Sequence, residues 1–421
     1  MEKIEGNAIS DGITIGKIFF YSNEREWSDS IEMTDSFIVV AKELTPREIL
    51  GFSKRNVAAF VLKVCSLNSH TSILTRTMDL PAVFHIDVKK EWNYQIAIVD
   101  GYKGIVIINP DDKTLSIYKT EKIRKAEEKK LLLDSYRGKK AETKNGKQVH
   151  LYANINRLSD VQQVVQNDAE GIGVFKSEFM YLEASDYPTE EEQFEVYKEV
   201  AASMGEKRVV LRTLDIGVDK SADYFHLEEE ENPAMGLRAI RLCFERPDIF
   251  VTQLRAILRA SAFGNVSIMY PMIISVDEVL HIKSIVKKVM EELKNEKIPF
   301  NENIEQGIMV ETPAAVIMSR ELAKIVDFFS IGTNDLTQYT LAMDRQNTKL
   351  ETMLDPLHPA ILRSIRTTIE NAHKEGIWVS ISGELGADIS LVKMFVEYGI
   401  DALTVSPSRI LPLRKAICEV D

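Results

Sequence analysis

From residue 148 onward, short apolar runs alternate with longer amphipathic segments. The runs predict strands at Val149–Asn154, Gly171–Phe175, Val209–Leu214, Ser267–Pro271, Gly307–Glu311, Asp327–Ile331, Trp378–Ser382 and Ala402–Ser406. Helical periodicity covers Glu190–Met204, Asp248–Ala260, Val276–Leu293, Pro313–Ile325, Ala360–Glu375 and Asp388–Tyr398. Eight strand–helix units in this order fit an α/β fold with a C-terminal (β/α)8 TIM barrel. An open doubly wound sheet is the structural competitor.

The N-terminal third reads as a smaller α/β unit. Strands are expected at Gly12–Tyr21, Phe37–Ala41, Val57–Val64, Gln95–Asp100 and Gly104–Asn109, and Asn23–Asp35 is polar loop. Thr45 followed by Pro46 is a helix start, and Ser69–Met78 is a second helix. Lys119–Arg137 is rich in Lys, Glu, Ala and Leu and reads as a charged connecting helix, ending in a hinge-like turn over Gly138–Gly146. The expected division is therefore 1–118, a linker over 119–146, and 147–421.

Composition narrows the function classes. The chain has 421 residues, 45% hydrophobic and 28% charged, with a net charge of −12. An acidic total disfavours a nucleic-acid partner, while a local arginine cluster can still hold a small anion. The three cysteines, Cys65, Cys243 and Cys418, have neither metal-ligand spacing nor a framework of pairs, which fits a reducing compartment. The N-terminus is not that of a signal peptide and no run approaches 18 apolar residues, so a cytoplasmic protein without a membrane segment is expected.

The candidate chemistry lies at the predicted strand ends. Asn154, Lys176 with Glu178, Arg212 with Asp215, Glu311, Asn334 with Asp335, and Ser382 with Glu384 all fall there, and Arg238 and Arg345 lie in adjoining segments. In a barrel these ends share one face, and so many charges converging there imply a small, polyanionic, metal-bound ligand. Glu311 and Asp335 are the candidates for holding Mg2+ or Mn2+. Taken alone, Gly332-Thr333-Asn334-Asp335 also fits a βα loop with Asp335 as helix N-cap. In the N-terminal unit, Asn68-Ser69-His70-Thr71-Ser72 offers hydroxyls and helix-start N–H groups to a phosphate on the His70 imidazole. His70 as an ordinary polar helix-start residue is the competing reading, and His85 reads as structural.

At these residues the chain resembles enzyme I of the phosphoenolpyruvate-dependent sugar phosphotransferase system. The resemblance runs nearly end to end and is strongest in Gly171–Tyr181, Thr189–Phe194, Arg212–Lys220, Asn232–Arg241, Gln253–Gly264, Gly307–Ala315, Val326–Arg345 and Gly383–Leu385. Pyruvate phosphate dikinase and phosphoenolpyruvate synthase share the phosphohistidine domain and barrel, but the chain has no room for their ATP-grasp domain. The resemblance implies a swivelling phosphohistidine domain before the barrel, with His70 accepting phosphoryl from phosphoenolpyruvate. It implies that Arg212, Arg238, Asn334, Arg345 and Lys176 bind substrate, that Glu311 and Asp335 bind Mg2+, and that the protein is a homodimer through the barrel. A phosphocarrier-type protein would be the phosphoryl acceptor.

The departures from the family pattern concern particular steps. The helical insertion that docks the phosphocarrier is missing, since Tyr21–Asp35 runs straight across its position. Cys65-Ser66-Leu67-Asn68-Ser69-His70 stands where the family has Gly-Gly-x-Thr-Ser-His. Lys176 replaces an arginine, which keeps the charge without the bidentate fork. Val218 replaces a glycine, and Ser382 replaces a cysteine that protonates the enolate carbon of pyruvate. Two expectations follow: a phosphoenolpyruvate-protein phosphotransferase, or a weakened relative that binds phosphoenolpyruvate and acts as a regulator or partner subunit.

Overall fold

The computed structural model describes residues 1–421 apart from 23–35, 54–55, 65–71, 73–74, 76–77, 79, 218–222, 348 and 351. His70 with the residues from Cys65, the segment 23–35 across which the helical insertion is expected to be absent, and Val218 therefore lie outside the described residues. The chain divides into two compact units. One comprises Met1–Asp134 with Arg345–Met353, the other Ser135–Asp344 with Leu354–Asp421.

The first unit is built on an eight-stranded mixed sheet. Its strands are β1 (Glu2–Glu5), β2 (Asn7–Ser10), β3 (Ile13–Tyr21), β4 (Phe37–Ala41), β5 (Val57–Leu62), β6 (Ala82–Phe84), β7 (Ile96–Asp100) and β8 (Ile105–Ile108), in the order β1-β8-β7-β3-β4-β5-β6-β2. The central strands β3 to β6 pair in parallel, and antiparallel β7, β8 and β1 complete one side. Strands β4 and β5 are buried almost throughout, as strands covered on both faces must be, and so appear as unbroken apolar runs. Strands β1, β2 and β6 leave no recognisable pattern in the sequence. Each has only three or four residues, too few for an alternating pattern to register.

Gly6 separates β1 from β2, which pair at opposite ends of the sheet order. Its N–H donates to Gly104 O at 2.8 Å, and a Cβ there would lie 2.3 Å from Phe84 O, so only glycine fits the crossing. Thr45 and Glu48 form the expected helix start before Pro46–Ser53. Glu48 N–H donates to Thr45 Oγ1 at 3.2 Å, and Thr45 N–H to Glu48 Oε2 at 2.7 Å.

The charged connecting helix is longer than its composition implied. It runs from Asp112 to Tyr136, and none of its residues is buried. The turn after it is held by an isolated antiparallel bridge between Glu142 and Gln148.

The second unit is a closed barrel of eight parallel strands, which excludes the open sheet. The strands are β9 (His150–Ile155), β10 (Gly171–Lys176), β11 (Arg208–Arg212), β12 (Val266–Tyr270), β13 (Glu305–Val310), β14 (Phe328–Gly332), β15 (Trp378–Ser382) and β16 (Ala402–Val405), closing through β16 against β9. All eight predicted runs are strands, with ends that differ by at most two residues. Val174, Val210, Met269, Met309 and Phe328 fill a small interior cluster with Trp378, while the alternate side chains face the surrounding helices.

Helix starts follow their capping residues. Thr189 with Glu192 and Ser275 with Glu278 form capping boxes at Glu190–Met204 and Val276–Asn295; such caps contribute about 0.5–2 kcal/mol each. The predicted helix Pro313–Ile325 divides at Met318 into Pro313–Ile317 and Ser319–Ala323. The helix after β14 begins at Thr333 with Gly332 in the capping position, so Asp335 is in the first turn and is not the N-cap.

Candidate active site

The charged residues at the C-terminal ends of the barrel strands form one buried, interlocked array. Arg212 closes β11. Its Nη2 donates to Glu178, two residues beyond β10, and its Nη1 pairs with Asp215 at 3.2 Å. Asp215 also accepts from Arg238 Nη2 at 2.8 Å, so one carboxylate bridges two guanidiniums. The other arm of Arg238 lies 3.2 Å from the Tyr339 hydroxyl and 3.6 Å from Asp335 Oδ1. Burial works against the charge of both arginines. Glu178 and Asp215 outweigh it for Arg212, and Asp215 and Asp335 for Arg238, so both pKa values lie above the ordinary one.

Glu311 follows β13 directly and is only 1% exposed. Its position depends on the next residue: Thr312 Oγ1 donates to Ile273 O at 3.0 Å and accepts from Ala315 N–H at 3.1 Å, capping the short helix. The Met272 N–H donates to Glu311 Oε1 at 2.8 Å, while Oε2 is buried with no hydrogen-bond partner among the described residues. Burial, then the carboxylates of Asp335 and Asp215, push the Glu311 pKa up to about 8.

A buried carboxylate oxygen without a donor, close to a second carboxylate, is what a hard cation fits. Glu311 and Asp335 fit such an ion. Among the described residues no group of three or more His, Cys, Asp or Glu could hold a metal ion.

Asn334 and Ser382 meet through neighbouring backbone. Gly332 and Ser382 are register partners between β14 and β15, and Thr333 Oγ1 donates to Ser382 O at 3.1 Å. Asn334 Oδ1 accepts from Glu384 N–H at 3.3 Å. Gly383 has φ 110°, and a Cβ there would sit 2.4 Å from Thr333 Oγ1 and 3.1 Å from Asn334 Oδ1. Ser382 is buried, and Lys176, at the end of β10, is half-buried. Arg345 is buried and is counted with the first unit.

Residues 130–421 match the family described as PEP-utilising enzyme, PEP-binding domain, and residues 33–104 match its mobile domain. A phosphoenolpyruvate-protein phosphotransferase of Staphylococcus aureus is 42% identical over 388 residues, covering 91% of this chain and 67% of the relative. The chain belongs to this family.

Relatives of the same description from Geobacillus stearothermophilus (42% identity, 91% of this chain, 66% of the relative) and Listeria innocua (41%, 92% and 68%) agree. The chain thus spans about two thirds of the length of these phosphotransferases. No helix among the described residues is long and apolar enough to cross a membrane.

Several participants in the array were not assigned roles from sequence. Glu178 turns out to be the partner of Arg212, Tyr339 lies against Arg238, and Met272 contributes only its backbone. Tyr339 had one signal, its place one helical turn after Asp335. The part played by Met272 had none, because a backbone N–H is present at nearly every position.

Proposed function

We propose that this chain takes a phosphoryl group from phosphoenolpyruvate onto His70 and passes it to a protein acceptor, releasing pyruvate. The observation that carries the proposal is the buried array of Arg212 and Arg238 with Asp215, Glu311 and Asp335 at one end of the barrel. Two guanidiniums held among carboxylates present fork-shaped donors for a substrate bearing both a phosphate and a carboxylate. Arg212, Arg238, Asn334, Arg345 and Lys176 are the proposed substrate ligands.

Glu311 and Asp335 would hold Mg2+, which when bound neutralises charge on the phosphoryl oxygens. An imidazole nitrogen of His70 forms the N–P bond as the bond from phosphorus to the enol oxygen breaks. Transfer through a loose transition state asks mainly for in-line positioning and charge stabilisation, which the arginines provide. The departing enolate takes a proton at its terminal carbon, from Ser382 or from water. A serine hydroxyl is a far weaker acid than a thiol, so protonation in water suffices for the forward direction and the reverse reaction is the slower one.

Residues 1–118 would act as the phosphohistidine domain and 147–421 as the phosphoenolpyruvate-binding domain. The segment 119–146 would be the hinge that lets His70 reach substrate and then acceptor. We place the protein in the cytoplasm, as a homodimer through the barrel, with an acceptor of the phosphocarrier type. A second reading, a regulator that binds phosphoenolpyruvate without turnover, is favoured by Lys176, Ser382 and the glycine-free sequence before His70.

Incubation with Mg2+ and phosphoenolpyruvate, followed by mass spectrometry, separates the two. An acid-labile phosphate on His70, absent from His70→Ala, is the expected result. Binding without any label in the wild type would leave the regulator as the better account.

A further inference from the structure

Gln253 is fully buried in the helix Pro247–Ala260, whose inward face is otherwise formed by Ile249, Phe250, Leu254, Ala256 and Ile257. An amide in such a place is costly unless its groups find partners. All of them do. Oε1 accepts from Leu214 N–H at 2.8 Å, and Nε2 donates to Ser177 Oγ at 3.0 Å and Tyr197 OH at 3.1 Å. Ser177 Oγ in turn donates to Arg212 O at 2.8 Å. On the far side, Tyr197 and Tyr181 both donate to Gln193 Oε1, at 3.4 and 3.1 Å, and Gln193 Nε2 donates to Pro188 O at 2.9 Å.

The three residues linked by this amide, directly or through Ser177 Oγ, are those that carry the charged array. Arg212 is held at its own carbonyl through Ser177. Leu214 is the residue before Asp215, which bridges Arg212 and Arg238. Ser177 is the residue before Glu178, the second partner of Arg212.

We infer that Gln253 is a positioning residue for anion binding, setting Glu178, Arg212 and Asp215 in register from behind the strand ends. What the array binds rests on the function proposed above; the positioning itself does not. An apolar side chain of similar length would fill the space but leave the Leu214 N–H buried without an acceptor. The Leu214–Asp215 backbone would then turn toward another partner and carry the bridging carboxylate with it.

The test compares Gln253→Met, Gln253→Glu and a packing control on the same helix, Ile257→Val, in His70 labelling and in crystal structures. Gln253→Met is expected to lower kcat/KM for phosphoenolpyruvate about 100-fold, as a misplacement of about 1 Å can, mainly through KM. Ile257→Val leaves KM unchanged. A protonated Gln253→Glu keeps the acceptor for Leu214 and a donor for Ser177. Its KM should therefore approach the wild-type value at low pH and rise with pH over the range in which urea titration shows the variant still folded, a dependence that loss of the fold alone would not produce.

Wild-type KM and kcat in Gln253→Met, or a crystal structure with Arg212 and Asp215 unmoved, overturns the inference. If the wild type does not bind phosphoenolpyruvate, the substrate assignment fails, and the position of Asp215 in the Gln253→Met crystal still decides the positioning role. Should that variant not fold, Ser177→Ala removes the hydrogen bond that ties the amide to Arg212 O. It is then expected to raise KM about tenfold, the effect of one hydrogen bond of ordinary strength, and an unchanged KM would count against the inference.

Discussion

Met272 donates its backbone N–H to Glu311 Oε1 at 2.8 Å from a left-handed conformation, with φ 59°. For a side chain larger than glycine that conformation costs about 1–2 kcal/mol, so it persists because its surroundings hold it there. The carboxylate thus has one oxygen tethered, and the other is buried without a donor among the described residues.

That arrangement makes Gly332 a test of the cation site. A Cβ there would lie 2.5 Å from Glu311 Oε2 and 2.9 Å from Glu311 Cβ, so the carboxylate must move. Gly332→Ala is expected to weaken the apparent Mg2+ affinity about 10- to 100-fold, the range for disturbed support of a metal ligand. Glu311→Gln should remove most Mg2+-dependent labelling. Titration of His70 phosphorylation against Mg2+ measures both, and an unshifted Mg2+ midpoint in Gly332→Ala would exclude Glu311 as a ligand.

Ser382 bears on the direction of catalysis. Ser382→Cys is expected to speed exchange of pyruvate methyl protons with solvent about 100-fold, within the usual range for a positioned acid or base. The rate of His70 labelling from phosphoenolpyruvate should change little. Deuterium incorporation followed by proton NMR measures the first quantity; no gain would mean that the side chain at 382 does not face the enolate carbon.

Lys176 supplies charge without a fork. Lys176→Arg is expected to lower KM for phosphoenolpyruvate about tenfold, the equivalent of one added charge-assisted hydrogen bond, with kcat nearly constant. Steady-state kinetics at fixed Mg2+ checks it, and a raised KM would place this side chain away from the substrate anion.

Away from the site, His150 Nδ1 lies 2.7 Å from Glu170. The hydrogen bond to Glu170 holds the His150 pKa above its ordinary value of 6.5, against the opposing effect of burial. A raised folded-state pKa means that the pair stabilises the fold fully below about pH 6.5 and that this contribution is lost as pH rises through the folded value. His150→Gln should flatten that part of the stability profile. Urea midpoints at pH 5.5, 7 and 8.5 measure it, and an unchanged slope would show that the pair does not contribute.

Local pattern alone determined the number and order of the barrel strands. Apolar runs such as Gly171–Phe175 and Trp378–Ser382 lie in a sheet covered on both faces, and burial on both faces leaves a continuous signature in sequence. The polar residues at or just beyond the ends of six of the eight runs were equally legible, which is how Arg212, Glu311, Asn334 and Ser382 stood out. Tertiary structure alone decided who pairs with whom. Arg212 and Glu178 are 34 positions apart, and the Leu214 N–H meets an amide 39 positions away. Such partnerships depend on how strands stagger as the barrel closes, and no periodicity within one strand records that stagger. Gln253 shows the limit well: in sequence it is one polar residue on an apolar helix face, and only the closed barrel brings the ends of β10 and β11 to it.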